Sequence, residues 1–98
     1  MIEDIIESEL PLPANDFVSA NNDGFNDLFE IQNVNLYQDY ILTIFNNSGA
    51  EVFSTKGYNN NWSGIDNSGR ELAAGIYYYS FVSSNNPISF KGSITLIR

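Results

Sequence analysis

The side chains best suited to chemistry fall in one short stretch, Asn21-Asn22-Asp23-Gly24-Phe25-Asn26-Asp27. Carboxylate and amide oxygens crowd there around a glycine turn. Oxygen donors of this kind suit Ca²⁺, a hard cation, with Asn21, Asp23 and Asp27 as candidate ligands. The stretch lacks the spaced acids and terminal Glu of an EF-hand loop. It also reads as an ordinary turn whose Asn and Asp side chains bond their own backbone. Asp23 and Asp27 form a carboxylate pair, but a glycosidase needs two acids facing each other across a cleft. Trp62, after an Asn-rich turn, could offer a carbohydrate platform, although a large aromatic in a small domain is more often core.

Further catalytic options are closed by what is missing. The 98 residues contain no His and no Cys. Ser and Thr hydroxyls therefore have no His base, and thiolate chemistry, disulfides and imidazole metal sites are out of reach. No phosphate-binding glycine loop precedes a helix. Lys56 and Lys91, the only lysines, sit in strand-like runs. The expectation is a non-enzyme.

Charge narrows the partners. Net charge is −8, and ten of the twelve acids lie at or before Glu51, whereas no Lys or Arg precedes Lys56. Such a chain repels phosphates, so nucleic acid is not an expected partner. The acids suit cations or a basic partner, or serve only to keep a Tyr- and Phe-rich domain in solution. No apolar run is long enough to span a membrane. The acidic Met1–Leu10 stretch is not a signal peptide, so a secreted form would be part of a longer precursor.

The elements that must position these residues are strands. Residues 1–14 are acidic and run into Leu10-Pro11-Leu12-Pro13, the composition of a linker or tail. Residues 15–98 read as one domain. Strand-like runs at 17–20, 28–34, 40–46, 50–55, 60–64, 75–84 and 88–97 alternate with Asn/Asp/Ser/Gly turns. About seven short strands at this spacing predict an all-β, immunoglobulin-like antiparallel sandwich. Period-2 alternation assigns Tyr77, Tyr79 and Phe81 to one face of their strand, and Ile76, Tyr78 and Val82 to the other. It also puts Ile88, Phe90, Ile94 and Leu96 on the core side of the last strand, where Gly92 predicts a bulge or a closely packed aromatic ring. Gly49 supplies a positive φ for a hairpin turn.

Five blocks in order carry a family resemblance: Val18 to Ile31 (VSANNDGFNDLFEI), Leu42 to Phe53 (LTIFNNSGAEVF), Tyr58 to Gly64 (YNNNWSG), Gly69 to Tyr79 (GRELAAGIYYY) and Phe90 to Arg98 (FKGSITLIR). Together they resemble the gliding-motility-associated C-terminal domain, the type B sorting signal of the type IX secretion system. The fingerprint positions are Asp23, Gly24, Asn26, Asp27, Phe29, Gly49, Trp62, Gly64, Gly75, Tyr77, Tyr79 and Gly92. Departures from the usual pattern include Ala20, Asn22, Asn47-Ser48 and Ala74.

The resemblance implies a sorting domain attached to a larger cargo protein of the Bacteroidota. Such a domain is exported across the outer membrane and held at the cell surface. Its implied partners are the secretion machinery and an outer-membrane protein of the kind paired with adhesin secretion. The terminal strand, through Lys91, Ser93, Thr95, Ile97 and Arg98, is the expected partner contact, by strand-edge or surface docking. The competing expectation is a cell-surface module that binds glycan or calcium, with no other cofactor.

Overall fold

Strict apolar alternation forces strands to lie with one face against a core. The computed structural model describes residues 14–20 and 27–98. It contains β1 (Phe17–Ser19), β2 (Ile41–Phe45), β3 (Glu51–Lys56), β4 (Gly75–Ser83) and β5 (Asn86–Ile97), with one 3₁₀ turn at Val34–Tyr37. The strands form a single sheet in the order β1-β5-β4-β2-β3. Pairing is antiparallel except between β1 and β5, which run parallel with Phe17 opposite Thr95 and Ser19 opposite Ile97. The fold is all-β and sandwich-like, with five strands where about seven were expected.

The two missing strands, 28–34 and 60–64, form a second layer by other means. Phe29 and Trp62 make one isolated bridge, and Ala14 and Ile31 another. Beyond these, Asn side chains replace the ladder. The Asn60 amide accepts from Ile31 N at 2.9 Å and donates to Ile31 O at 3.2 Å. The Asn15 amide accepts from Glu30 N at 2.7 Å and donates to Leu28 O at 2.9 Å. Asn33 and Asn60 adopt left-handed φ values of 57° and 59°, which interrupt an extended chain at little cost for Asn. The backbone groups are thus satisfied without a regular strand.

The core lies between the sheet's inner face and this second layer. Leu42, Ile44, Tyr77, Tyr79, Phe81, Phe90, Ile94 and Leu96 meet Phe29, Ile31, Tyr58 and Trp62, all of them buried. Aromatic rings dominate: Phe29 sits 5.5 Å from Tyr79, Trp62 6.1 Å from Tyr77, and Tyr40 4.9 Å from Phe81 between centroids. Gly92, opposite Tyr79, makes room for that ring. A Cβ there would lie 2.7 Å from the Tyr79 hydroxyl and 3.0 Å from two ring carbons.

Two loops share one design. In Asn46–Ala50 the Asn46 Oδ1 accepts from Ser48 N and Ala50 N, and Gly49 takes φ 84°. In Asp66–Arg70 the Asp66 Oδ1 accepts from Ser68 N and Arg70 N, and Gly69 takes φ 85°. The second loop also shields an edge: the Asn67 amide accepts from Ser54 N at 2.9 Å and donates to Ser54 O at 3.1 Å on the outermost strand β3. Capping an edge in this way blocks unwanted strand addition.

Candidate docking surface

Because successive side chains alternate across a sheet, burying one face fixes what the other presents. Lys91, Ser93, Thr95 and Ile97 share the outward face of β5. Register aligns Ser80 with Lys91, Tyr78 with Ser93, and Ile76 with Thr95. Phe17 flanks Thr95 from β1, and on the far side of β4 Phe45 aligns with Tyr78 and Ile41 with Val82. Among the described residues the exposed large hydrophobics are Phe17, Leu36, Ile41, Ile76, Tyr78, Val82 and Ile97. All but Leu36 belong to this face. Exposure there reaches 50% at Ile76 and 47% at Tyr78. The sequence groups Lys91, Ser93, Thr95 and Ile97 as candidate contacts, and the sheet sets these four on one face together with Ile76, Tyr78 and Val82, to which the sequence reading gave no such role. The available signal was that β4 is apolar on both faces while only one can be buried.

Arg98 is not part of this face. Its guanidinium turns to the second layer, where Nε donates to Leu72 O and a terminal nitrogen donates to Gly64 O. The strand-edge mode of docking is restricted to part of β5. β4 is paired on both sides, and β5 is paired with β4 along its length and with β1 at Thr95–Ile97. Before Thr95 no described strand lies along the outer side of β5, so the terminal strand can offer a partner a backbone edge there as well as side chains.

The other candidates fare differently. Asn21, Asp23, Gly24 and Asn26 lie outside the described residues. Asp27 is half-buried and lines a hollow of about 410 Å³ with Ser63, Glu71 and Arg98, so the carboxylates there share their space with a fixed cation. Among the described residues no group of three or more carboxylate, His or Cys side chains is placed to hold a metal ion. Trp62 is fully buried, and its indole N–H donates to Ile65 O at 2.7 Å. This is the core position expected of a large aromatic in a small domain, and it removes the residue on which the glycan-binding alternative stood. Gly64 and Gly75 adopt φ values of 85° and 152°, and Gly64 packs against Leu96.

Electrostatics mark structural groups, not a reacting centre. No polar or charged residue is buried among the described residues. The Arg70 backbone N–H, followed by that of Ser68, holds the Asp66 carboxyl below its usual range. The Ser83 hydroxyl, 2.7 Å away, does the same for Asp39. Burial pushes the Tyr58 phenol far above its ordinary value; its hydroxyl donates to Phe29 O at 2.6 Å and accepts from Trp62 N at 2.8 Å. No helix among the described residues is long and apolar enough to cross a membrane.

Comparison with known proteins agrees with the motif order. Residues 12–96 match the CHU_C type IX secretion signal domain. Among solved structures, the chain is similar to part of PorZ, described as an essential bacterial surface component of the type IX secretion system of Porphyromonas gingivalis. The TM-score is 0.51 at 18% identity, over 61% of this chain and 8% of that one, a likeness of fold. A search of curated protein sequences returned no match. The chain therefore belongs to the CHU_C family of type IX secretion signal domains, a family of secretion signals and not of catalysts, and it is thereby marked for export across the outer membrane.

Proposed function

We propose that residues 15–98 are a folded, non-catalytic sorting domain for a larger cargo protein. The domain directs that cargo through the type IX machinery and retains it at the cell surface by docking to the machinery or to a partner outer-membrane protein. Residues 1–14 are the linker. The observation that carries this reading is the secretion-signal match over residues 12–96. The solvent-facing side chains of the sheet support a docking role. Lys91, Ser93, Thr95 and Ile97 are the terminal-strand contacts, and Arg98 acts by holding the strand end in place.

The test is a fusion of residues 15–98 behind a signal peptide and a fluorescent reporter, in a host with this secretion system. Export of the fusion, with the reporter alone left in the periplasm, is the expected result. Export of neither, with the cognate membrane partner co-expressed, would refute the reading. Deleting residues 90–98 is a poor companion test, because it removes Phe90, Ile94 and Leu96 from the core.

A further inference from the structure

Resting on that sorting role, we propose that the outer face of the sheet, centred on Tyr78 and Ile76, is the surface through which the domain is read. We further propose that its occupant is a protein surface with an apolar centre and carboxylates at its rim. The first support is the placement of apolar side chains. A domain of this size rarely leaves a contiguous apolar patch on one face unless something covers it. Here Ile76 and Tyr78 are successive outward residues of β4, Val82 lies beyond Ser80 with Ile41 beside it, and Phe17 adds an apolar group across Thr95.

Charge complementarity supplies the second support. The protein carries a formal charge of −8, yet the only acid in any of the five strands is Glu51, at the start of edge strand β3. The strands hold two cations, Lys56 and Lys91, and register places both on the outer face: Ile41 aligns with Lys56, and Ser80 with Lys91. The remaining outward positions of β5 and β4 are hydroxyls, Ser93, Thr95 and Ser80. Register sets Glu51 opposite outward Phe45, so on this face one acid stands against Lys56 and Lys91, and the other acids among the described residues lie outside the strands. A partner presenting carboxylates around an apolar centre would approach this face and be turned away from the others. An anionic lipid surface would meet the repulsion of the whole chain. A second copy would bring together two chains of the same strong negative charge.

Size agrees. Strands of 3, 12, 9, 5 and 6 residues, at about 4.8 Å spacing and about 3.4 Å per residue, give a face of roughly 570 Å². That suits one side of a small, transient interface, which buries less than about 1,200 Å² over both partners. Lys91 and Ser93 also border an open hollow of about 400 Å³ with Tyr78, a depression into which a partner side chain can settle.

The experiment uses the full chain as a reporter fusion in a host with the secretion system. Tyr78→Glu and Ile76→Glu should each lower the exported signal at least ten-fold, while the melting temperature of the purified chain stays within a few degrees. Leu36→Glu, at a still more exposed apolar site off the sheet, should export as wild type. Should Tyr78→Glu fail to fold, Tyr78→Thr, which retains strand preference, carries the same comparison. Lys56→Glu should reduce export and Lys56→Arg should not. Wild-type export by folded Tyr78 and Ile76 variants would overturn this surface and leave the sorting role intact, whereas no export of the wild-type fusion would overturn both. A dimer of the purified chain that Tyr78→Glu dissociates would assign the face to a second copy. Binding to phosphatidylglycerol vesicles that Lys56→Glu abolishes would assign it to lipid. Either result would also overturn the proposal.

Discussion

Replacing Tyr58 by Phe tests how the second layer is held. The phenol hydroxyl donates to Phe29 O at 2.6 Å and accepts from Trp62 N at 2.8 Å, and Tyr58 is 1% exposed. Phe keeps the ring against Phe29 but strands a buried carbonyl and a buried N–H. Each unsatisfied group costs about 1–3 kcal/mol. The direct bond from Phe29 N to Trp62 O, at 2.9 Å, survives and limits the damage. A loss of about 3 kcal/mol is expected, and for a domain of this length that lowers Tm by roughly 12–24 °C. Thermal unfolding followed by circular dichroism measures it.

A second readout is sharper. Burial raises the Tyr58 pKa, so the neutral form is favoured in the folded state. The associated stability is fully present below the unfolded value of about 10 and is lost as pH rises from there toward the folded pKa. Wild-type Tm should therefore fall more steeply above pH 10 than that of Tyr58→Phe. A Tm loss under about 4 °C, with identical alkaline limbs, would refute the reasoning.

Further predictions follow from the same contacts. Gly64→Ala should cost about 2–5 kcal/mol, since its φ of 85° disfavours a side chain and a Cβ would lie 2.7 and 2.9 Å from the Leu96 methyl carbons. Gly49→Ala, at φ 84° with nothing within 4 Å, should cost only about 1–2 kcal/mol, and urea titration of the pair separates packing from backbone strain. Gly92→Val should destabilise by about 1–3 kcal/mol as Tyr79 is displaced, with a change in near-ultraviolet circular dichroism. Asp66 and Asp39 have depressed pKa values, so the stability they add is present above about pH 4 and lost as pH falls through their folded values. Asp66→Asn, which keeps the acceptor as Asn46 does in the sister loop, should flatten the loss of Tm between pH 4 and pH 2; an unchanged acid limb would show that the carboxylate is not responsible.

Much of the sheet was legible because its information is local. The alternation of Tyr77, Tyr79 and Phe81 and of Phe90, Ile94 and Leu96 identifies core-facing positions, and all six are buried. Gly92 implied a neighbouring ring and Gly49 a left-handed turn, and both are found. The second layer was less legible. Residues 28–34 and 60–64 have strand composition, but the backbone of Leu28, Glu30 and Ile31 bonds to the amides of Asn15 and Asn60, distant in sequence, and Trp62 N bonds to the Tyr58 hydroxyl. Nothing in a local pattern distinguishes an Asn that pairs with a remote backbone from one that closes a turn. The parallel pairing of β1 with β5 likewise joins the two ends of the domain, where no turn signal points to it. The docking face was half legible: alternation grouped Lys91, Ser93, Thr95 and Ile97, but Arg98 broke the pattern by bonding to Leu72 O and Gly64 O across the layers.

The most direct measurement is the surface-exposed fraction of the reporter fusion in two otherwise identical strains, one with the type IX translocon and one without. Surface signal that depends on both the translocon and residues 15–98 is the predicted result. Equal signal in the two strains, or a folded fusion that stays in the periplasm of a translocon-competent strain with the cognate membrane partner present, would contradict the sorting role.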